Sequence, residues 1–148
     1  MCSIETTCLV DSVIFILTNH TEVITFGRDA EYMDSKLAPL VKKGGIIALA
    51  FPGLKEELNG AIPSEMALSW PAEDIETWHS CEWWKSLLKK SCEITVESIS
   101  EMQGFDEYWN DWLYCTNEFS EHARLDRAAM EAGAGKYMNF ISVIASKI

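Results

Sequence analysis

Residues 42–53 read KKGGIIALAFPG, and this stretch decides the fold class. Its centre, residues 46–51, contains no polar side chain. A strand without alternation of polar and apolar residues is buried on both faces, as in a parallel sheet covered by helices. The pair Gly44-Gly45 stops the element before the strand, and Pro52-Gly53 ends the strand itself. The stretch therefore predicts an α/β protein in which residues 46–51 form the most buried strand.

Upstream of this strand, apolar residues recur at helical spacing. A helix capped by Asp29 places four of them on one face, and Pro39 should kink or tighten its last turn. These four are Met33, Leu37, Leu40 and Val41. Before the helix, the apolar run 13–17 predicts a strand, and two interpretations of the segment after it stay open. Residues 18–21 turn a hairpin into a second run, 22–26, or the strand ends and an irregular loop begins.

Downstream, the pattern predicts further helices and two strands. Ser80 is expected to cap a helix that contains Trp84, Leu87 and Leu88. Residues 93–98 alternate between polar and apolar side chains, which is typical of a strand near a sheet edge. The remaining predicted elements are a short helix at 55–58, a helical turn within 69–78, helices at 105–119 and 122–132, and a final strand at 137–145.

Composition restricts the class of partner. The 148 residues are enough for one ordinary domain, and 12 Lys and Arg against 23 Asp and Glu give a net charge of −11. This balance argues against nucleic acid and anionic membranes, since both require basic patches, and leaves a neutral or cationic small ligand. Five scattered cysteines without a CxxC motif, and no apolar segment long enough for a signal or membrane span, predict a cytoplasmic protein with reduced thiols.

Few motifs carry chemistry. His79, Cys81 and Cys92 are the best set of metal ligands, but zinc sites show tighter paired spacing, so the two cysteines are interpreted as small core residues and no metal is expected. No G-x-S-x-G motif and no glycine-rich phosphate loop occurs. His20 is a candidate ligand-binding residue, because loops after buried strands bind ligands in open α/β sheets. The six tryptophans could form a cage for a cation, although helical spacing such as that of 109 and 112 is more often core.

From about Gly27 to the C-terminus, the chain resembles the second half of a class I S-adenosylmethionine-dependent methyltransferase. The matching stretches are FGRD at 26–29, LAPLVKKGGIIA at 37–48, FPGLKEEL at 51–58 and HSCEWW at 79–84. The resemblance implies a partial Rossmann-like sheet, with parallel strands followed by an antiparallel closing pair and flanking helices. The family strand order that remains without its first three strands is 4-5-7-6. Residues 1–26 form an atypical β segment in which the family's glycine-rich cofactor loop is missing.

The resemblance also implies two groups of site residues. His20, Phe26 and Arg28 are expected near the cofactor S-adenosylmethionine, and Glu57, His79 and Trp83 on the side of a small-molecule acceptor. No general base is indicated, so the catalytic residue stays unknown. Without the glycine loop, the isolated chain is expected to bind the cofactor weakly or not at all.

Two other functions remain open. One is a non-catalytic remnant that serves as a structural or dimerising module, and the other is a small aromatic-lined binding protein. An apolar strand at 13–17 that lacks its family neighbours would leave an unpaired edge. A homodimer that buries residues 9–26 is therefore expected.

Overall fold

The computed structural model describes residues 13–17, 30–117 and 120–148, and of 13–17 and His122 the backbone only. Four strands form one sheet in the order β1-β2-β4-β3. Their bounds are β1 Val13–Leu17, β2 Ile46–Leu54, β3 Ile94–Glu101 and β4 Met138–Lys147. β4 pairs antiparallel with both β2 and β3, and the backbone of β1 runs parallel to β2. The predicted α/β class and the antiparallel closing pair are confirmed, and β4 lies between β2 and β3 as expected.

Helices connect and cover these strands. Their bounds are α1 Ala72–Ile75, α2 Cys81–Leu88, α3 Phe105–Leu113 and α4 Ser120–Glu131. Short 3-10 turns span Met66–Leu68 and Ala134–Lys136. Asp126 on α4 is buried, and its carboxylate accepts hydrogen bonds from the Ser69 hydroxyl and the Trp112 indole N–H. This carboxylate therefore ties α4 to α3 and to the segment before α1.

β2 is the most buried of the three strands whose side chains are described, β2, β3 and β4. None of its residues is exposed, and Ile47, Leu49 and Phe51 face the helices together with Ile141 and Val143 of β4. The predicted end at residue 51 is wrong, because β2 continues to Leu54. The last register pair between β1 and β2 is Leu17 with Ala50, so Pro52 has a strand neighbour only on the β4 side among the described strands. At such a position the missing N–H of proline leaves no ladder bond broken.

The predicted helix before β2 is irregular. It contains a π-helical turn, Met33–Leu37, followed by a 3-10 turn, Ala38–Leu40. Pro39 lies in that 3-10 turn, so the predicted tightening is confirmed. The predicted burial of Leu40 is wrong: this side chain is 58% exposed, whereas Leu37 is 5% exposed. Leu37 and Leu40 are three residues apart, but the backbone changes from π-helical to 3-10 geometry between them. This change in residues per turn places the two side chains on different faces.

The ends of other helices and strands also differ from the predicted ends, because contacts with distant parts of the chain determine them. β3 is an edge strand as predicted, but a bulge between Val96 and Ser98 shifts its alternation and lets it continue to Glu101. α3 stops at Leu113, not at 119, and the Arg127 guanidinium of α4 binds the carbonyl of Leu113. Residues 55–58 form a loop rather than the predicted short helix. The segment 18–26, with its two open interpretations of a hairpin and an irregular loop, and the Asp29 cap lie outside the described residues.

Candidate functional site

The loop after β2 and the loop before α2 meet at the carboxyl end of β2. Leu54, the last residue of the strand, donates its backbone N–H to the carbonyl oxygen of His79 at 3.1 Å. Gly53 makes this approach possible, because a Cβ at this position would lie 2.8 Å from the same oxygen and would overlap the side chain of Ile141. His79 is therefore fixed at the sheet by a backbone contact that requires a residue without a side chain.

Glu57 joins the two loops through its carboxylate. Oε2 lies 3.0 Å from Nδ1 of His79, and Oε1 accepts the backbone N–H of Ser80 at 2.6 Å. Ser80 is the predicted N-cap of α2, and its hydroxyl accepts the N–H of Trp83 at 3.4 Å. A negative charge beside the first turn of a helix is favoured by the helix dipole. The carboxylate therefore holds both the histidine ring and the start of α2.

The pKa of the Glu57 carboxyl is lower than its ordinary value. Partial burial is the largest single influence and raises the pKa, but the hydrogen bonds from the His79 ring and from Ser80 together outweigh it. Charge attraction to His79 lowers the pKa further. Glu57 is consequently ionised at neutral pH, although its side chain is only 39% exposed.

Trp83 covers one face of the His79 ring. The two ring centroids are 3.5 Å apart and the planes differ by 9°. Trp84 stands edge-on to the same imidazole at 6.2 Å and packs on Phe51 of β2 with centroids 4.7 Å apart. Trp84 is 1% exposed, so the histidine is supported by a core residue as well as by the half-buried Trp83.

The structure brings the three predicted acceptor-side residues together: His79 contacts both Glu57 and Trp83. The predicted cofactor-side residues His20, Phe26 and Arg28 lie outside the described residues. In the β1–β2 register, the last residue of β1, Leu17, pairs with Ala50, four residues before the end of β2 at Leu54. The Glu57–His79–Trp83 cluster lies at the carboxyl end of β2, and in open α/β sheets ligands bind beyond the carboxyl ends of strands.

The three possible metal ligands His79, Cys81 and Cys92 do not come together in the structure. The two cysteines lie near opposite ends of β3. Cys81 lies close enough to Glu101, at the end of β3, for the charge of Glu101 to affect the thiol. Cys92 precedes the start of β3, and its backbone N–H binds Asp34. Eight strand residues separate these ends by about 25 Å. Across residues 30–117 and 120–148, no three His, Cys, Asp or Glu side chains form a group able to hold a metal ion.

The two cysteines differ in their surroundings. Cys92 is exposed, so its interpretation as a core residue is wrong, and Cys81 is half-buried. Burial, and then the charges of Glu101 and Glu82, raise the pKa of the Cys81 thiol, which keeps it protonated and a poor nucleophile.

Two residues of the site had no direct signal in the sequence. The sequence pattern predicts only a strand end at Gly53, whereas the structure shows that this glycine admits the His79 carbonyl. Ser80 was interpreted as a helix cap only, although its backbone N–H also binds Glu57. The Pro-Gly pair after an apolar run marked the right position, but nothing in the residue spacing indicates that a segment 26 residues away returns to it. No helix in the described part of the chain is long and apolar enough to cross a membrane.

Comparison with known proteins gives matches to solved structures only, since no family model and no curated protein sequence matches the chain. Phosphoethanolamine N-methyltransferase 2 from Haemonchus contortus, in complex with S-adenosyl-L-methionine, has a TM-score of 0.60 at 14% identity over 91% of this chain and 33% of its own. Coclaurine N-methyltransferase, bound to N-methylheliamine and SAH, has a TM-score of 0.56 at 15% identity over 92% and 48%. The [4+2]-cyclase SpnF has a TM-score of 0.50 at 12% identity over 93% and 50%.

At these identities the matches establish the fold. The chain has the fold of part of an S-adenosylmethionine-dependent methyltransferase, as the sequence resemblance predicted, and it spans between a third and a half of the length of these three solved chains. A cyclase is among the matches, so the reaction has to be argued from the site itself.

Proposed function

We propose that this chain supplies the acceptor side of an S-adenosylmethionine-dependent methyltransferase that acts on a small molecule. The observation that carries the proposal is the contact between Glu57, His79 and Trp83 at the carboxyl end of β2. A polar dyad beside an aromatic face offers orientation to a small acceptor, and orientation is the main contribution a protein makes to methyl transfer. Two of the matched proteins are N-methyltransferases by name.

The donor has no complete site among the described residues. The Cβ space at Gly53 is filled by His79 and Ile141, so this glycine does not cradle a ligand. Gly44, Gly60 and Gly133 have open space around them, but none follows a strand and opens an α-helix as a cofactor loop does. Gly104 does so after β3, but Tyr108 lies 3.4 Å from its Cβ position. The described residues alone therefore do not fit S-adenosylmethionine, and His20, Phe26 and Arg28 stay the proposed residues of the cofactor side.

The first test of the proposal is donor binding by the chain as it stands. Isothermal titration calorimetry with S-adenosylmethionine should give weak binding or none, because the glycine loop and the ribose-binding acid of the family are missing. Micromolar affinity would refute this expectation and would mean that residues 1–26 complete the donor site.

The second test is methyl transfer by a longer product. The coding sequence upstream, read in all three frames and joined to this chain, should contain a glycine-rich strand–loop–helix. The joined protein should transfer a labelled methyl group from S-adenosylmethionine to a small molecule, and His79→Phe should reduce the rate with Glu82→Gln as the control. A joined protein that carries the loop, binds the donor and transfers no methyl group would contradict the proposal.

The alternatives have unequal support. The incomplete donor site favours the non-catalytic, dimerising module as the second candidate. The aromatic-lined binding protein is disfavoured, because Trp70, Trp78, Trp84 and Trp109 are each at most 7% exposed and belong to the core. We keep the proposals of a cytoplasmic location and of a homodimer through residues 9–26, with no nucleic acid or membrane as partner.

A further inference from the structure

We propose that the Glu57–His79–Trp83 cluster binds a protonated amine that carries at least one N–H, and that Nε2 of His79 is the atom that receives it. This inference rests on the proposed function and names the class of its acceptor. It concerns only residues that the structure describes.

The hydrogen bond to Glu57 determines which nitrogen of the histidine carries the proton. An ionised carboxylate only accepts hydrogen bonds, so the Nδ1 atom at 3.0 Å from Glu57 Oε2 must be the donor. In the neutral ring, Nε2 then holds the lone pair. The carboxylate thus presents the imidazole to a ligand as a hydrogen-bond acceptor.

Nε2 is also the ring nitrogen that the Glu57 contact leaves available. No group in residues 30–117 or 120–148 forms a hydrogen bond with it, and the side chain keeps 17% exposure. Trp83 lies flat on one face of the ring at 3.5 Å, so this face is closed to a ligand. Nε2 is therefore the ring nitrogen left for a hydrogen bond with a ligand, and a donor N–H fits it.

The charges around the cluster select a cation. Glu57 is ionised, and in the described part of the chain no Lys or Arg side chain binds its carboxylate. Glu101 adds negative charge beside Cys81, two residues after His79, whereas the Glu82 carboxylate is paired with Lys85 at 3.6 Å. A carboxylate or phosphate ligand would be repelled, whereas an ammonium group is attracted by these charges and by the electron-rich faces of tryptophan.

The same geometry permits a proton transfer. The ammonium N–H bond breaks with its electron pair left on the amine nitrogen, and a new N–H bond forms at Nε2. The resulting imidazolium is stabilised by Glu57 through Nδ1–H. The amine is then neutral, which is its nucleophilic form.

The experiment compares three probes without any methyl donor: phenethylamine, its N,N,N-trimethyl derivative and 2-phenylethanol. The first has charge and N–H, the second charge only, and the third neither charge nor N–H. Titrations are followed by NMR at the Trp83 indole N–H and the His79 ring nitrogens of the full chain. We expect phenethylamine to bind at least about tenfold more tightly than either control probe, the value of one charge-assisted hydrogen bond.

Two variants locate the effect. His79→Phe keeps a ring on Trp83 but removes Nε2, and should weaken phenethylamine binding about tenfold or more. Glu82→Gln removes a charge from the same helix without touching the ring, and should leave binding within about twofold. If His79→Phe does not fold, the probe comparison on the unmodified chain decides alone.

The outcomes separate this inference from the proposed function. Equal binding of the trimethyl probe, no response to phenethylamine up to millimolar concentration, or an unprotonated Nδ1 in the NMR spectrum would each overturn it. Because no donor is present, a failure of methyl transfer does not affect the result. If the joined protein transfers a methyl group to a hydroxyl acceptor and does not bind amines, this inference is contradicted and the proposed function remains intact.

Discussion

At the scale of single residues, the site depends on one carboxylate that bridges two loops. Glu57 holds the His79 ring at 3.0 Å and the Ser80 N–H at 2.6 Å. The resemblance to methyltransferases implies that Glu57, His79 and Trp83 are site residues. The spacing of these residues in the sequence does not by itself predict that they come together. Residues 57 and 79 are 22 positions apart, and their contact depends on how the β2 end and the α2 start pack.

The lowered pKa of Glu57 makes stability depend on pH. Its folded-state pKa is below the ordinary value of 4.5, so its contribution is present above that value and is lost as pH falls through the folded-state pKa. Glu57→Gln should therefore unfold at a lower temperature than the unmodified chain at neutral pH, and the gap should close on acidification. The prediction is checked by thermal unfolding followed by circular dichroism, from neutral pH down to the folded-state pKa of Glu57. Glu82→Gln is the charge-matched control. A gap independent of pH would contradict the role given to the carboxylate.

Gly53 is the second residue on which the site depends. Gly53→Ala should destabilise the fold by about 1–3 kcal/mol, because the new methyl group meets the fixed His79 carbonyl and the Ile141 side chain. Gly135→Ala is the matched control, since its Cβ would approach the flexible end of Met130 at 3.0 Å. Urea unfolding measures both. The prediction fails if the two variants lose equal stability, or if the NMR signals of the His79 ring do not move in Gly53→Ala.

At the scale of elements, local pattern predicted which elements exist better than where they end. The apolar run of β2 and the Ser80 cap of α2 are signals within a few residues, and both were correct. The end of α3 at Leu113 coincides with a hydrogen bond from Arg127 on another helix, and β2 runs through Pro52 where β1 has already ended. Such boundaries depend on partners distant in sequence, which a periodicity analysis does not include.

The irregular helix before β2 gives a test at this scale. Leu37→Ala should cost about 2–5 kcal/mol, because this buried side chain packs into the core beside Met33 and Val41. Leu40→Ala should stay within about 0.5 kcal/mol, because Leu40 is 58% exposed after the change from π to 3-10 geometry. Urea unfolding of the two variants compares the same chemical change three residues apart. Equal losses would restore the regular helix that the sequence pattern predicted.

At the scale of the whole molecule, the two edges of the described sheet are unlike. β3 forms one edge, and its bulge between Val96 and Ser98, together with Glu97 and Glu101, makes it a poor template for a further strand. β1 forms the other edge and pairs with β2 alone among the described strands. Its sequence, residues 13–17, carries five apolar residues and no charge. Of the two edges, β1 is therefore the one that favours association.

This difference supports the proposed homodimer through residues 9–26 and determines its test. Two copies that meet at β1 about a twofold axis would form one continuous sheet, with each unpaired backbone edge satisfied by the other. Ile16→Lys places a charge in this strand and should shift the mass seen in sedimentation equilibrium from dimer towards monomer. Ser100→Lys adds the same charge at an exposed position on the β3 edge and should leave the mass unchanged. Two results would exclude assembly through β1. One is an unmodified chain that is monomeric at tens of micromolar, and the other is a dimer that Ser100→Lys disrupts while Ile16→Lys does not.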